Sequence, residues 1–414
     1  MKFIVMACLV VCAAAQTLEV SPPRVMGDET ASIRVHGLGP AERVTIRAEL
    51  VDGAGHHWTS EAEFASDASG ALDVSKQAPA SGSYKVVSPM GLIWSMKPVE
   101  KDAGLYRLQQ NFAPQITRFQ LFRKATQIGS AQVEQVFLPE GLRRAPVNDG
   151  ELRGVFFIPA GGGRHPGILV LPGSEGGVPS RPAAWLASHG YAVLALAYFH
   201  FQDLPPQLEA IPLEYFQRAL QWMAAQPEID SHRIAVSGGS RGGELALQLG
   251  SMFPALRAVV AYVPSNVRRN ACCGANAQPY AWTWKRQPLA YLPLGLPLQS
   301  EMAARAAIAV ENTNGPILMI SGEEDGVWAS SRMADLAISR LKAAHFAFEY
   351  QHLKYAHAGH TAGRPDITPE WHEGIRHPVS GREMNLGGTA EGDAESTIDA
   401  MPKVLEFLAK ALKD

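Results

Sequence analysis

The sequence predicts a β-sandwich domain followed by a doubly wound α/β domain, and three observations carry that expectation. From Leu18 to about Pro98, short runs of alternating polarity are separated by Gly- and Asp-containing turns, the pattern of half-buried antiparallel strands. Beyond Gly150 the texture changes to near-continuous apolar runs alternating with helical ones, as in a parallel sheet covered on both faces. A length of 414 residues exceeds one ordinary domain and leaves room for a sizeable core in each part.

Residues 1–15 have a positive start at Met1-Lys2, an apolar run Phe3–Val11 and a small-residue stretch Ala13–Ala15, which reads as a secretory signal peptide. The run is too short to span a bilayer. A buried N-terminal strand is the competing reading. A lipoprotein site at Cys12 fits poorly because Val11 precedes it. With a cleaved signal only the adjacent Cys272 and Cys273 remain. They provide no disulfide framework, since a bridge between sequence neighbours is strained and rare, and they make a poor metal site. The expected compartment is therefore the bacterial periplasm, or the cytoplasm if residues 1–15 are not a signal.

Residues 16–137 are expected to form the sandwich, with strands such as 31–35, 44–50 and 82–86, and with 119–136 completing it or leading out of it. Residues 138–150, with Pro139, Gly141, Pro146 and Asp149-Gly150, read as a linker. In 151–414 the expected strands are 155–158, 167–171, 191–197, 233–236, 258–263, 316–320 and 346–350. Helices are expected at about 182–188, 213–226, 242–252 and 330–344, and over 394–412 with a kink or break at Pro402.

A net charge of -3, with 46% apolar and 19% charged residues, describes a soluble globular chain without the basic excess that nucleic-acid binding requires. No later stretch is long and apolar enough for a membrane span.

The chemistry centres on residues 233–250. A short β run Ile234–Val236 is broken by Gly238-Gly239, and Leu245, Leu249 and Met252 follow at helical spacing. Gly238-x-Ser240-x-Gly242 is thus a G-x-S-x-G at a strand-turn-helix junction, the nucleophile elbow of an α/β-hydrolase. Side chains at the two glycines would collide with the neighbouring strand and helix. Ser237 lacks such flanking glycines. The fold requires an acid and then a histidine, each on a loop after a later strand. Asp325 follows the strand at 316–320, with Glu323 and Glu324 as competitors. His360 follows the strand expected at 346–350, with His357 as runner-up. The oxyanion hole is expected from the N–H of Arg241 and the N–H of Ser174 or Glu175, in the Pro172–Gly177 loop. No Lys-Ser/Thr pair follows that loop, which excludes a phosphate cradle. The Arg241 side chain reads as a surface group.

These residues carry a resemblance over nearly the whole chain. Tyr191–Phe199, Asp203–Pro205, Leu213–Phe216, Gly239–Leu245, Gly322–Asp325 with Trp328, and Ala358–His360 resemble the acyl-CoA thioesterase and bile acid-CoA:amino acid N-acyltransferase family. So do Asp28-Glu29, Gly37–Pro40, Trp58–Ser60, Ala78-Pro79, Gly82–Tyr84 and Met90–Ser95 in the first half. The resemblance implies a β-sandwich before an α/β-hydrolase and a triad of Ser240, Asp325 and His360. Because the acyltransferase members have cysteine where this chain has Ser240, it also implies hydrolysis rather than transfer to an amine. The expected substrate is a small acyl ester or thioester, cleaved through an acyl-enzyme without metal or organic cofactor. The segment between Pro264 and Ala307, with Trp282, Trp284 and Leu292–Leu298, diverges from the family. It reads either as an acyl-chain cover over the site or as packed loop. An export signal conflicts with coenzyme A, a cytoplasmic cofactor, and leaves other esters, thioesters or amides as substrates. A non-catalytic binding protein on the same scaffold would be expected to lack one of the three residues. Oligomeric state is not legible.

Overall fold

A computed structural model describes residues 16–413. The expected signal segment lies outside the described residues. The first half is a sandwich of two sheets. The smaller has the strand order Thr17–Ser21, Ser32–His36, Leu72–Asp73. The larger places Arg24–Met26, Thr126–Val136, Gln115–Arg123, Arg43–Val51 and His57–Ala65 side by side, with two short edge pieces beyond. Burial alternates residue by residue along Arg43–Val51 and His57–Ala65, so every second side chain enters the space between the sheets. Leu18, Val20, Ile33 and Val35 meet Ile46, Phe64, Phe119 and Leu121 there. The strands foreseen near 119–136 stand inside the larger sheet and complete it.

The second half is an eight-stranded sheet in the order Arg143–Asp149, Leu152–Ile158, Ala192–Ala197, His165–Leu171, Ile229–Gly239, Leu256–Tyr262, Ile317–Gly322, Tyr350–Tyr355. The first two run antiparallel to their successors and the remaining pairs are parallel. The two faces bury different residues. Ile168, Val170, Ala235, Val260, Leu318 and Ile320 face helices Ser180–Ser188 and Ala390–Ala411. Leu169, Leu171, Val236, Val259 and Met319 face helices Glu214–Ala225, Arg241–Met252 and Ser330–Ala343. This is the doubly wound arrangement of an α/β-hydrolase behind a β-sandwich.

Five local expectations are corrected. Of the strand expected over 82–86 only Gly82 belongs to one, the short piece Ser81–Gly82. Within 138–150, read as a linker, Arg143–Asp149 pairs along its length with Leu152–Ile158. It is an edge strand, where Pro146 removes no obligatory ladder bond. The last strand is Tyr350–Tyr355 rather than 346–350. It too is an edge strand and half-exposed, so its polar sequence concealed it, whereas Phe346 and Phe348 pack on each other just before it. Helix Ala390–Ala411 runs through Pro402 without a break. Met401, Val404 and Leu408 stay seated on the sheet, and this packing outweighs the one hydrogen bond that the proline removes. Finally, Cys272 and Cys273 are joined by a disulfide.

The two halves share one apolar core, from Leu18 in the sandwich to Leu412 in the final helix. Polar contacts cross the same boundary. The Gln135 amide donates to the Ile367 carbonyl at 2.9 Å. Asp28 accepts from the Trp185 indole at 2.9 Å and pairs with His189 at 2.7 Å. Burial pushes the Asp28 carboxyl up, but the bonds from His189 and Trp185 outweigh it and hold the group below its ordinary pKa.

Leu318 lies on the penultimate strand of the sheet, fully buried in this common core. Leu318→Ala is expected to cost about 2–5 kcal/mol of stability, measured by urea denaturation. A loss well below 1 kcal/mol would contradict the packing described.

Candidate active site

Ser240 sits between strand Ile229–Gly239 and helix Arg241–Met252 with φ 55° and ψ -118°, a strained backbone for a residue with a side chain. Two contacts keep it there. Its N–H donates to the Tyr262 carbonyl at 2.9 Å, and its carbonyl accepts from Glu244 N–H at 3.0 Å. The flanking glycines allow the turn to close. A Cβ on Gly238 would lie 2.3 Å from the Gly242 carbonyl oxygen, and one on Gly242 would lie 2.6 Å from the carbonyl oxygens of Leu171 and Pro172.

His360 and Asp325 arrive from two later loops. His360 Nε2 lies 2.8 Å from Ser240 Oγ, and its Nδ1 lies 2.8 and 3.0 Å from the two carboxylate oxygens of Asp325. The Asp325 carboxylate also accepts the N–H groups of Val327 and Trp328 at 2.9 and 3.2 Å and the Ser330 hydroxyl at 2.6 Å. Its side chain is 1% exposed, so four donors replace the water that burial removed. The Trp328 indole meets the His360 ring edge-on at 5.7 Å and donates to the Val263 carbonyl at 3.0 Å. The competing residues lie elsewhere. Glu324 pairs with the exposed His357 at 3.0 Å, and Glu323 faces Lys354.

The Pro172–Gly177 loop, expected to border an oxyanion hole, runs beside the serine, since a Cβ on Gly173 would lie 3.3 Å from Ser240 Cβ. Arg241 N–H, in the first turn of its helix, has no intrahelical acceptor. Ser174 N–H has no acceptor among the described residues. The Glu175 carboxylate, in contrast, accepts Gly173 N–H at 2.9 Å and turns back on its own N–H. Glu175 keeps solvent-accessible surface while neighbouring protein crowds its carboxyl. Burial raises its pKa, against the pull of those N–H groups and of His360 and Arg364.

Arg241 is not a surface side chain. It is 3% exposed, donates to the carbonyls of Asn270 and Arg269 at 2.8 and 3.3 Å, and lies 3.3 Å from the carboxylate of fully buried Glu244. Glu244 also accepts the Trp282 indole N–H at 2.7 Å. Trp282 is packed against Tyr198 and Phe216, and Trp284 against Phe253. The structure therefore favours the packed reading of these two tryptophans over an acyl-chain cover.

Sequence reasoning missed His377. Its Nδ1 accepts the N–H groups of Val379 and Ser380, both at 3.2 Å. The ring proton therefore sits on Nε2, which donates to Ser174 Oγ at 2.9 Å. The pair cannot be a second nucleophile and base, because the nitrogen facing the hydroxyl already carries the proton. No motif or spacing marks His377.

A serine raised off a parallel strand on a strained turn, met by a histidine and a buried aspartate from later strand-end loops, is the architecture of an α/β-hydrolase, here carried behind a β-sandwich. The chain belongs to the acyl-CoA thioester hydrolase/BAAT family. The family's N-terminal region matches residues 28–149, and the region described as BAAT / Acyl-CoA thioester hydrolase C terminal matches residues 211–414. Acyl-coenzyme A thioesterase 6 of Mus musculus is 32% identical over 96% of this chain and 97% of its own. The peroxisomal succinyl-coenzyme A thioesterase of Mus musculus is 30% identical with the same coverage. Among solved structures, a putative dienelactone hydrolase from Klebsiella pneumoniae is similar at TM-score 0.42 and 17% identity, covering 65% of this chain and 98% of that one.

Burial pushes the His377 pKa below its ordinary value, and His200 adds to the shift. The folded state thus prefers the neutral ring. Its contribution is fully present above the unfolded pKa of about 6.5 and is lost as pH falls through the lower folded value. Between about pH 7 and 5, the thermal midpoint of His377→Gln is expected to fall less than that of the parent. Parallel curves for the two proteins would exclude the fixed tautomer.

Proposed function

We propose that the protein hydrolyses acyl-CoA thioesters through an acyl-enzyme on Ser240. The observation that carries this reading is the His360 ring, hydrogen-bonded to Ser240 Oγ on one nitrogen and to Asp325 on the other. His360 Nε2 takes the hydroxyl proton as Oγ attacks the thioester carbonyl, and the carbonyl π pair moves onto oxygen. Arg241 N–H and Ser174 N–H are the donors that receive this oxyanion. Asp325 holds the second ring proton on Nδ1 and stabilises the imidazolium. Collapse breaks the carbon–sulfur bond, and the proton on Nε2 passes to the thiolate of coenzyme A. Water then attacks the serine ester, giving its proton to His360, and collapse returns a proton to Oγ as the free acid departs. Family membership supports the thioester as the bond cleaved.

A second reading rests on the signal-like residues 1–15. In it the same chemistry acts on another ester, thioester or amide outside the cytoplasm. One panel of acyl-CoAs, aryl esters and peptide amides separates the two readings. The acyl-CoAs are expected to give the highest kcat/KM, and a preference for aryl esters would favour the second.

Ser240→Ala is expected to lower kcat by a factor of about 10⁴ or more and to abolish labelling by a fluorophosphonate probe. A variant as active as the parent would place the chemistry elsewhere.

A further inference from the structure

His360 is held from behind by a carboxylate that takes no part in the sequence motifs. Asp393, in the first turn of helix Ala390–Ala411, is fully buried. Its Oδ1 accepts Gly359 N–H at 2.8 Å, and its Oδ2 accepts the Thr361 hydroxyl at 2.7 Å. One rigid group thus grips the residues on both sides of His360. On the opposite side the loop has no slack, since His360 N–H donates to the Leu386 carbonyl at 2.7 Å and a Cβ on Gly359 would lie 2.3 Å from the Gly387 carbonyl oxygen.

Other charge surrounds Asp393 in the interior. It stands where the helix N-terminus favours an anion, and His372 Nε2 approaches Oδ2 to 2.8 Å. Burial disfavours the charged His372 ring, but Asp393 and Glu370 raise its pKa above the ordinary value. Arg364 and Arg181 also act on Glu370.

We propose that Asp393 is a positioning residue for the reaction, fixing the His360 imidazole within reach of Ser240 by bracketing it through Gly359 and Thr361. The inference rests on His360 acting as the base. A loop freed on this side lets the ring swing by the ångström or so that separates a productive hydrogen bond from none, a displacement worth on the order of 10²-fold in rate.

The test compares Asp393→Ala, Asp393→Asn and Thr361→Val with the parent and Ser240→Ala. It uses the best acyl-CoA of the panel, with thermal midpoints recorded for each variant. For Asp393→Ala, kcat is expected to fall on the order of 10²-fold with KM within about twofold, and fluorophosphonate labelling to slow in proportion. Asp393→Asn keeps an acceptor for Gly359 N–H and is expected to recover most of that loss. Thr361→Val removes one of the two grips, perturbs folding least and is expected to lower kcat several-fold. Folded variants with parental kcat, or a loss that Asp393→Asn leaves unrepaired, overturn the inference while an inactive Ser240→Ala leaves the serine mechanism standing. A fully active Ser240→Ala overturns both. Glu370, His372 and Asp393 offer donor atoms within 4.8 Å of one another. Activity lost to EDTA and restored by zinc would therefore also overturn the inference, by assigning the cluster to a cation.

Discussion

The hydrogen bond from Ser240 Oγ to His360 Nε2 joins residues 120 positions apart, and most of the second half of the molecule is arranged so that it forms. Strands Ile229–Gly239, Ile317–Gly322 and Tyr350–Tyr355 all end at the same edge of one parallel sheet. The loops leaving them deliver the serine, the aspartate and the histidine to one place. Parallel pairing aligns the carboxyl ends of successive strands, which is why such sheets build sites there. The strain at Ser240 persists because the packed sheet and helix around it leave no room to relax.

Electrostatics around the bond follow one rule: each buried anion is given donors before it is given a function. Asp325 has four, and Glu244 has the Trp282 indole beside the Arg241 guanidinium. Glu175, which keeps solvent exposure, likewise has backbone N–H groups as its hydrogen-bond donors, and desolvation raises its pKa. A carboxyl folded onto an N–H expected to serve the oxyanion leaves Ser174 N–H and Arg241 N–H as the open pair.

The parts legible in the sequence were those whose chemistry is local. Gly238 and Gly242 flank the serine because any side chain there meets backbone, and that necessity is written in adjacent residues. The serine and the acid were readable because each follows an apolar buried strand, and the histidine because it comes after them in chain order behind Ala358-Gly359. Edge strands were misread for the converse reason. Arg143–Asp149 and Tyr350–Tyr355 are open on one side, so their composition is polar and, in the first case, admits a proline. Nothing in the sequence marked His377 or Asp393, since each acts through a contact formed only when segments far apart in the chain come together. The buried state of Arg241 was hidden likewise, because its partners Asn270 and Arg269 lie on a loop about thirty residues on.

The sandwich has a part in the site although it supplies none of its reacting groups. The segment after His360 leaves the hydrolase core and crosses to the first half. There Ile367 N–H donates to the Gly27 carbonyl at 2.7 Å, Glu370 N–H to the Trp94 carbonyl at 2.9 Å, and the Gln135 amide to the Ile367 carbonyl. The chain then turns back, bringing His372 to Asp393 and His377 to Ser174 before it enters the final helix. One excursion thus ties the loop that carries His360 and the loop that carries Ser174 to the same external wall. The apolar core runs without interruption from one half to the other, so that wall is close-packed with the sheet. Detaching the sandwich would remove the surface against which both loops are set, so the two halves form one packed unit and not a core with an appended module.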